Sequence, residues 1–465
     1  MDQITPNENL AFDDENNEER QRLLSNRSGR SHIVVSSQRW IALILGSAVA
    51  LINGFQNLQF AGFEPQIVKY YKILPILGDL LTQTYYISFV ILGFPVIWLI
   101  MKKGLRFTVI SAAALSAIGA MLTVVSTTNN QLYSVALISE FFAGVAQVFV
   151  LCLPSLLAGS WFPSNEVSTA SGTIVFFYEL GNGIALLIPP FLKKTEEFHG
   201  TLGKNVVTTF AAVALCGIIV YVFVQIAFKE PAVEVQLDDD SGSQPIPSYL
   251  QSLKDLMTNK NFVLLFFSYG IDFGIFSALH SLFKIIVYHN FLEEGINHFT
   301  TGQIVAFMIL VGTPAPIIFG LLLDYTKKFI WILGLIHFIS ILSSMMLIFA
   351  METKIMWLTW VSVGLLGFGL TGKMSVGLET AAEMTYPIPE GTSSGLLVWS
   401  MSLFTTIFIQ VFRFLLTFTN LYLNVFVSSC LIIAFIFTCF MKEDLRRSKA
   451  QFEAMITIDD DEIER

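Results

Sequence analysis

The sequence predicts an all-α membrane protein: twelve transmembrane helices in two six-helix bundles. Three observations carry the prediction. Only 14% of the residues are charged and 54% are hydrophobic, whereas soluble domains carry about 25% charged residues. Apolar runs, about twelve of them, reach the roughly 20 residues that cross a bilayer. A motif also recurs near half the chain length. Phe162-Pro163-Ser164-Asn165-Glu166-Val167-Ser168-Thr169 and Tyr386-Pro387-Ile388-Pro389-Glu390-Gly391-Thr392-Ser393 both read aromatic-Pro-x-x-Glu-x-[Ser/Thr]-[Ser/Thr], offset by 224 residues. Lys102-Lys103 and Lys327-Lys328 repeat with an offset of 225. Such a period marks an internally duplicated membrane protein. In each copy proline ends one helix, and the glutamate then lies at the positive N-terminal end of the next.

The elements follow in order. Residues 1–38 are polar and read as a disordered cytosolic N-tail. Within them Glu19-Arg20-Gln21-Arg22-Leu23-Leu24 fits an acidic dileucine sorting signal, which coat adaptor proteins bind with two apolar pockets; a chance match is the alternative reading. The first apolar run is a full span, so no N-terminal signal peptide is expected. The N-terminal bundle, 39–228, holds spans near 39–62, 79–101, 106–126, 131–153, 167–192 and 206–228. A cytosolic linker, 229–260, carries Asp238-Asp239-Asp240 and ends with Ile246, Tyr249, Leu250, Leu253, Leu256 and Met257 on one helical face. That face predicts a helix lying on the membrane surface. The C-terminal bundle, 261–441, holds spans near 261–290, 301–323, 329–350, 356–378, 391–417 and 421–441, and a polar cytosolic tail, 442–465, follows.

Charge placement matters more than the net charge of -9. Of the 36 acidic residues, 7 lie in 1–38, 6 in 229–260 and 8 in 442–465, which are solvated segments. No basic stripe points to nucleic acid. Cys152, Cys216, Cys430 and Cys439 fall in or at the ends of apolar runs without metal or redox spacing, and read as small core residues. No nucleophile–base pair stands out, so no enzyme, cofactor or metal site is expected. With both tails inside, 18 of the 27 basic residues are cytosolic and 6 lie opposite, which sets the orientation.

Two six-span halves joined by a long linker match the plan of the major facilitator superfamily, and Gly320-x-x-x-Asp324 before Lys327-Lys328 resembles its loop signature. The first-half copy has Met101 where the aspartate stands. A narrower resemblance rests on Val145-Ala146-Gln147-Val148-Phe149, Leu153-Pro154-Ser155, Trp161-Phe162, Glu166-Val167-Ser168-Thr169-Ala170, Pro189-Pro190, Thr371-Gly372, Gly377-x-Glu379, Glu383-x-Thr385-Tyr386-Pro387 and Glu390-Gly391-Thr392-Ser393-Ser394-Gly395. These motifs resemble the feline leukaemia virus subgroup C receptor-related transporters, from about Arg39 to span eleven. The resemblance implies a carrier of haem, choline, ethanolamine or, in the lysosomal renal-carcinoma-disrupted branch, vitamin B6. That branch also begins with an acidic dileucine tail.

Each charge inside a bilayer costs at least about 2.5–3.5 kcal/mol, so each needs a partner or a purpose. The resemblance places Gln147 on the central cavity, where its amide can donate and accept hydrogen bonds. It also implies a tryptophan cage holding a quaternary ammonium by cation–π attraction. Here Asn57 stands at the tryptophan position, Phe276 at a tyrosine and Ser402 at a glutamine, with Trp399 as a further ring. Gln56, Asn57 and Gln59 then point to a substrate with several hydrogen-bonding groups, or else to helix–helix contacts.

Glu179 has two readings: a proton-coupling carboxyl, or a structural ion pair with Lys284 or Lys373. Asp272 and Lys373 join it as coupling or gating candidates. Glu379 and Glu383 share a helix face and read as gating residues near the cytosolic end of span ten. The six histidines show no ligand spacing, and His280, within a span, reads as a packing residue.

The sequence thus predicts a monomeric, alternating-access transporter of a small vitamin-like or amine solute, in an endolysosomal membrane or else the plasma membrane. A haem exporter of the same fold and a non-transporting membrane receptor or sensor are the alternatives.

Overall fold

A computed structural model describes residues 38–163, 165–192, 203–229, 248–291, 296 and 298–450. The sorting residues Glu19, Leu23 and Leu24, the linker aspartates and the end of the C-tail lie outside the described residues. By its contacts the chain divides into Met1–Arg39 and Trp40–Arg465, and the helical bundle belongs to the second unit.

The helices are α1 (Gln38–Gly62), α2 (Glu64–Tyr71), α3 (Pro75–Ser126), α4 (Tyr133–Trp161), α5 (Val167–Leu192), α6 (Lys204–Ala227), α7 (Tyr249–Thr258), α8 (Lys260–Asn290), α9 (His298–Gly312), α10 (Ala315–Thr326), α11 (Phe329–Glu352), α12 (Met356–Thr385), α13 (Glu390–Leu416) and α14 (Asn420–Cys439). Among the described residues, eleven stretches are long and apolar enough to cross a membrane. One of them is two crossings. Laid straight, the 52 residues of α3 would run about 78 Å, against about 30 Å of hydrocarbon. Gly104, at φ 78 and ψ -174, breaks the helix. The far ends of its two legs then meet through tyrosines. Tyr71 and Tyr70 hydroxyls donate to the carbonyls of Ser126 and Thr127, Tyr133 donates to that of Leu77, and the Tyr71 and Tyr133 rings are 5.8 Å apart. Counted this way, the crossings number twelve among the described residues, six on either side of α7.

The two halves repeat one layout. In α1, α4, α8 and α12, 78–83% of the apolar window is buried inside the protein, whereas the figure is 22% in α6 and 44% in α11 and α14. The first group therefore forms the centre and the second faces lipid. α9 and α10 form one crossing, interrupted at Pro314 and Pro316. Thr371 donates at 2.7 Å to the Gly312 carbonyl, the acceptor that Pro316 leaves without a helical N–H, and Ser375 donates to the Pro316 carbonyl at 3.1 Å.

Some boundaries differ from expectation. α4 continues through Pro154 to Trp161, and α12 runs on to Thr385. Packing on neighbouring helices compensates the one backbone bond that proline removes. α2 is an additional short helix, started by Pro65 in its first turn. The surface helix α7 begins at Ser248, whose side chain caps the Gln251 N–H. Its apolar face is divided: Leu256 is buried and Tyr249 donates to the Phe94 carbonyl at 2.9 Å, while Leu250 and Met257 are exposed.

Candidate functional site

A buried polar layer spans the middle of the N-terminal half. α1 and α5 approach closely, because a Cβ at Gly54 would meet the Tyr178 carbonyl and one at Gly181 would meet that of Leu51. The contact sets Asn57 against α5, where its amide donates to the Tyr178 hydroxyl at 3.3 Å and to Asn182 at 3.1 Å. From α4, Gln147 donates to the same hydroxyl at 3.3 Å. Asn182 donates to Glu179 Oε2 at 3.3 Å. Tyr86, from the first leg of α3, joins Asn57 and reaches Ser277 on α8, bridging the halves. Asn57 Oδ1, Gln147 Oε1 and the Ser402 hydroxyl on α13 are buried with no hydrogen-bond partner among the described residues. Buried polar atoms are rarely orphaned in this way.

The other expected site residues are distributed around this layer. Gln56 donates to the Ser116 carbonyl on the second leg of α3, and Gln59 to Glu140 at 2.8 Å, so both tie helices together. Phe276 is buried and stacks edge-on against His280, with ring centroids 3.8 Å apart. Trp399 fills the seam between the halves: its indole donates to the Val90 carbonyl at 3.0 Å and its ring lies 5.0 Å from Phe94. The two lysines expected as partners for Glu179 bond elsewhere. Lys373 binds Asp272 inside the C-terminal half, and Lys284 donates to the Ala61 and Gly62 carbonyls at the far end of α1.

Contacts between the halves close both ends. At the face bearing the lysine pairs, Asp324 at the end of α10 accepts from the backbone N–H groups of Ser168 and Thr169 at 3.2 and 2.8 Å and from the Thr169 hydroxyl at 2.7 Å, capping α5. The duplicated position behaves as its residue allows: Met101 Sδ accepts from the Thr392 hydroxyl at the start of α13. Beside it, Arg447 of the C-tail binds Glu379 at 3.0 Å, Glu383 at 3.3 Å and Glu390 at 2.8 Å. Burial lowers the pKa of Arg447, but the carboxylates of Glu379, Glu390 and Glu383 outweigh it and hold the guanidinium above its ordinary range. At the opposite face Arg413 pairs with Asp79, and Gln410 donates to Gln83 at 2.8 Å. Cavities at these two mouths measure about 40 and 10 Å³, room for water molecules only. A larger solute can pass only if one set of contacts parts.

Sequence reasoning missed Tyr178, Asn182, His337, Asp79 and Arg447. Tyr178 adjoins Glu179, and His337 is the one titratable residue in its apolar run, so both carried a signal. Arg447 carried none, since a basic residue in a polar tail is ordinary.

Residues 43–409 match the Major Facilitator Superfamily. The chain is 34% identical to the choline/ethanolamine transporter flvcr2a of Danio rerio, over 90% of this chain and 89% of that protein. It is 32% identical to the choline/ethanolamine transporter FLVCR2 of Homo sapiens, over 91% of this chain and 81% of the relative. It is also 32% identical to the choline/ethanolamine transporter FLVCR1 of Felis catus, over 89% and 74% respectively. Among solved structures, the fucose:proton symporter of E. coli superposes with a TM-score of 0.67 at 14% identity, covering 87% of this chain and all of that one, which shows a shared fold. A duplicated twelve-crossing fold with a polar layer between two closed mouths, matched over nine-tenths of its length, places this chain in the major facilitator superfamily, among the feline leukaemia virus subgroup C receptor-related small-solute transporters.

Proposed function

We propose that the chain carries a small amine-bearing metabolite, with ethanolamine the preferred member of the choline and ethanolamine pair that names its relatives. One observation carries this reading: Asn57 Oδ1 and Gln147 Oε1 are buried acceptors without a donor among the described residues. A primary ammonium supplies N–H donors to such oxygens, whereas a quaternary ammonium has none. The tryptophan position that implies a cation–π cage is Asn57 here. Vitamin B6-like solutes, which also carry several polar groups, fit the same acceptors less economically, because only two orphan oxygens flank Tyr178. Transport proceeds by alternating access, with the halves rocking about the polar layer. Purified protein in lipid vesicles should accumulate radiolabelled ethanolamine saturably and in preference to choline, and Gln147→Ala should lower uptake at least severalfold. Equal handling of choline and ethanolamine would refute the preference, and absence of any saturable flux would favour a receptor or sensor.

The halves are assigned to 39–228 and 261–441, with 229–260 as a cytosolic linker and both tails cytosolic, because that orientation leaves most Lys and Arg inside. The protein is read as a monomer. Leu23 and Leu24 direct it to an endolysosomal membrane through adaptor proteins. Leu23→Ala combined with Leu24→Ala should shift it to the cell surface by microscopy; an unchanged distribution rejects the signal.

A further inference from the structure

The C-terminal half buries a second polar group that the solute layer does not use. Asp272 on α8, His337 on α11 and Lys373 on α12 converge there, each at most 1% exposed. Lys373 Nζ donates to Asp272 Oδ2, to the Ser268 hydroxyl at 2.6 Å and towards His337 Nε2 at 3.1 Å. His337 Nε2 also lies 3.0 Å from Asp272 Oδ2. Its other ring nitrogen, Nδ1, sits 2.8 Å from the Leu333 carbonyl.

The Leu333 carbonyl fixes the tautomer. A carbonyl only accepts, so Nδ1 carries the hydrogen and the neutral ring leaves Nε2 bare. That lone pair faces the Lys373 ammonium as donor, the Asp272 carboxylate as acceptor and, farther off at 3.4 Å, the Ser268 hydroxyl. Towards Lys373 it makes a hydrogen bond; towards Asp272 it sets acceptor against acceptor. A proton placed on Nε2 reverses both relations: the ring then donates to Asp272 and repels the ammonium. The atom therefore has two discrete partner sets, selected by one proton.

We infer that the Asp272–His337–Lys373 cluster is a proton-binding site that couples solute movement to a pH gradient. The inference rests on the proposed transport of ethanolamine. The proton adds to the Nε2 lone pair, no heavy-atom bond changes, and the cluster goes from neutral to a charge of one. It leaves by the reverse step. When Asp272 turns to the imidazolium, its hold on Lys373 weakens, and with it the tie between α8 and α12. α12 also bears Glu379 and Glu383, held by Arg447 at the closed mouth, so one rigid helix links proton and gate.

The groups facing the cluster are few. Cys430 on α14 lies within electrostatic reach of Asp272. Thr438 on α14 meets the Ser268 hydroxyl at 3.2 Å, and Ser268 also donates to the Ala434 carbonyl. From α11, Ser340 abuts Gly369 of α12. On α8, Tyr269 lies towards Glu179 of α5, the other buried acid that could carry a proton.

The test uses the full chain in lipid vesicles with radiolabelled ethanolamine as probe. The readout is the ratio of accumulation under an imposed pH gradient to equilibrium exchange without one. The ratio should stand severalfold above one in the wild type. It should fall to one in His337→Gln and in Asp272→Asn combined with Lys373→Met, a pair that leaves no lone buried charge. A ratio that survives His337→Gln, falls only in Glu179→Gln, or equals one in an exchanging wild type overturns the inference. If ethanolamine does not exchange at all, the solute assignment fails, and nitrogen NMR of ¹⁵N-histidine-labelled protein in bilayers reads the site alone. The His337 signal, identified by its loss in His337→Gln, should show a bare Nε2 at about pH 8 and a protonated one by about pH 5. A ring fixed in one state across that range also overturns the inference.

Discussion

Asn57 shows how one side chain can change what a shared fold accepts. Where the resemblance implies an indole, this chain has an amide that bonds Tyr178 and Asn182 and keeps an acceptor free. Its neighbour Gln56, one residue earlier and so about 100° around the helix, faces α3, where its amide ties helices together through the Ser116 carbonyl and its oxygen, unpartnered among the described residues, is directed away from Tyr178's partners. The sequence marks both as candidates, because polarity alone does not say which way a residue points in a buried helix. Glu64, just beyond α1, offers a test of burial on a charge. Burial raises its pKa, and Lys284 and Arg413 draw it part of the way back. For an acid raised in the folded state, the favourable contribution is complete below the unfolded pKa and is lost as pH rises through the folded one. Glu64→Gln should therefore raise the melting temperature of purified protein at about pH 7.5, and the gain should shrink as pH falls towards about 5. A gain that is independent of pH would assign the effect to packing.

At the level of elements, Gly104 decides whether one apolar stretch becomes one helix or two crossings. Its φ of 78 with ψ of -174 lies where a side chain is strained, yet no atom lies within 4 Å of a Cβ built there. Gly104→Ala should cost about 1–3 kcal/mol from backbone strain alone, read as a lower melting temperature. An unchanged value would mean that the turn is not held in this conformation. The second-half counterpart turns at Lys327, φ 52, and is secured by Asp324 on the start of α5. The duplicated mouth is thus capped by a carboxylate in one copy and by Met101 in the other. The substitution at 101 is plain in the sequence; that Thr392 donates to its sulfur is known only from the packing.

Across the whole molecule, Arg447 is a single cation serving three carboxylates from two helices. Removing one partner of a buried pair strands the other and costs about 3–5 kcal/mol. Arg447→Ala should therefore lower thermal stability, and because the clasp closes one mouth, it should also raise maleimide labelling of a cysteine placed at the buried Ser171. Lower stability without faster labelling would make the clasp structural rather than a gate.

The sequence alone determined that the chain crosses a membrane about twelve times and that its halves are copies. It did so because apolar length and motif period are local quantities, written along the chain. It also identified Gln147, Asp272, Lys373, Glu379 and Glu383 as buried polar residues in need of partners. Only the tertiary structure chose those partners: His337 and Asp272 for Lys373, Arg447 for the glutamates, Tyr178 for Gln147. Inside lipid-bounded bundles, helices far apart in sequence supply each other's hydrogen bonds, and no spacing along one helix encodes which neighbour it will meet.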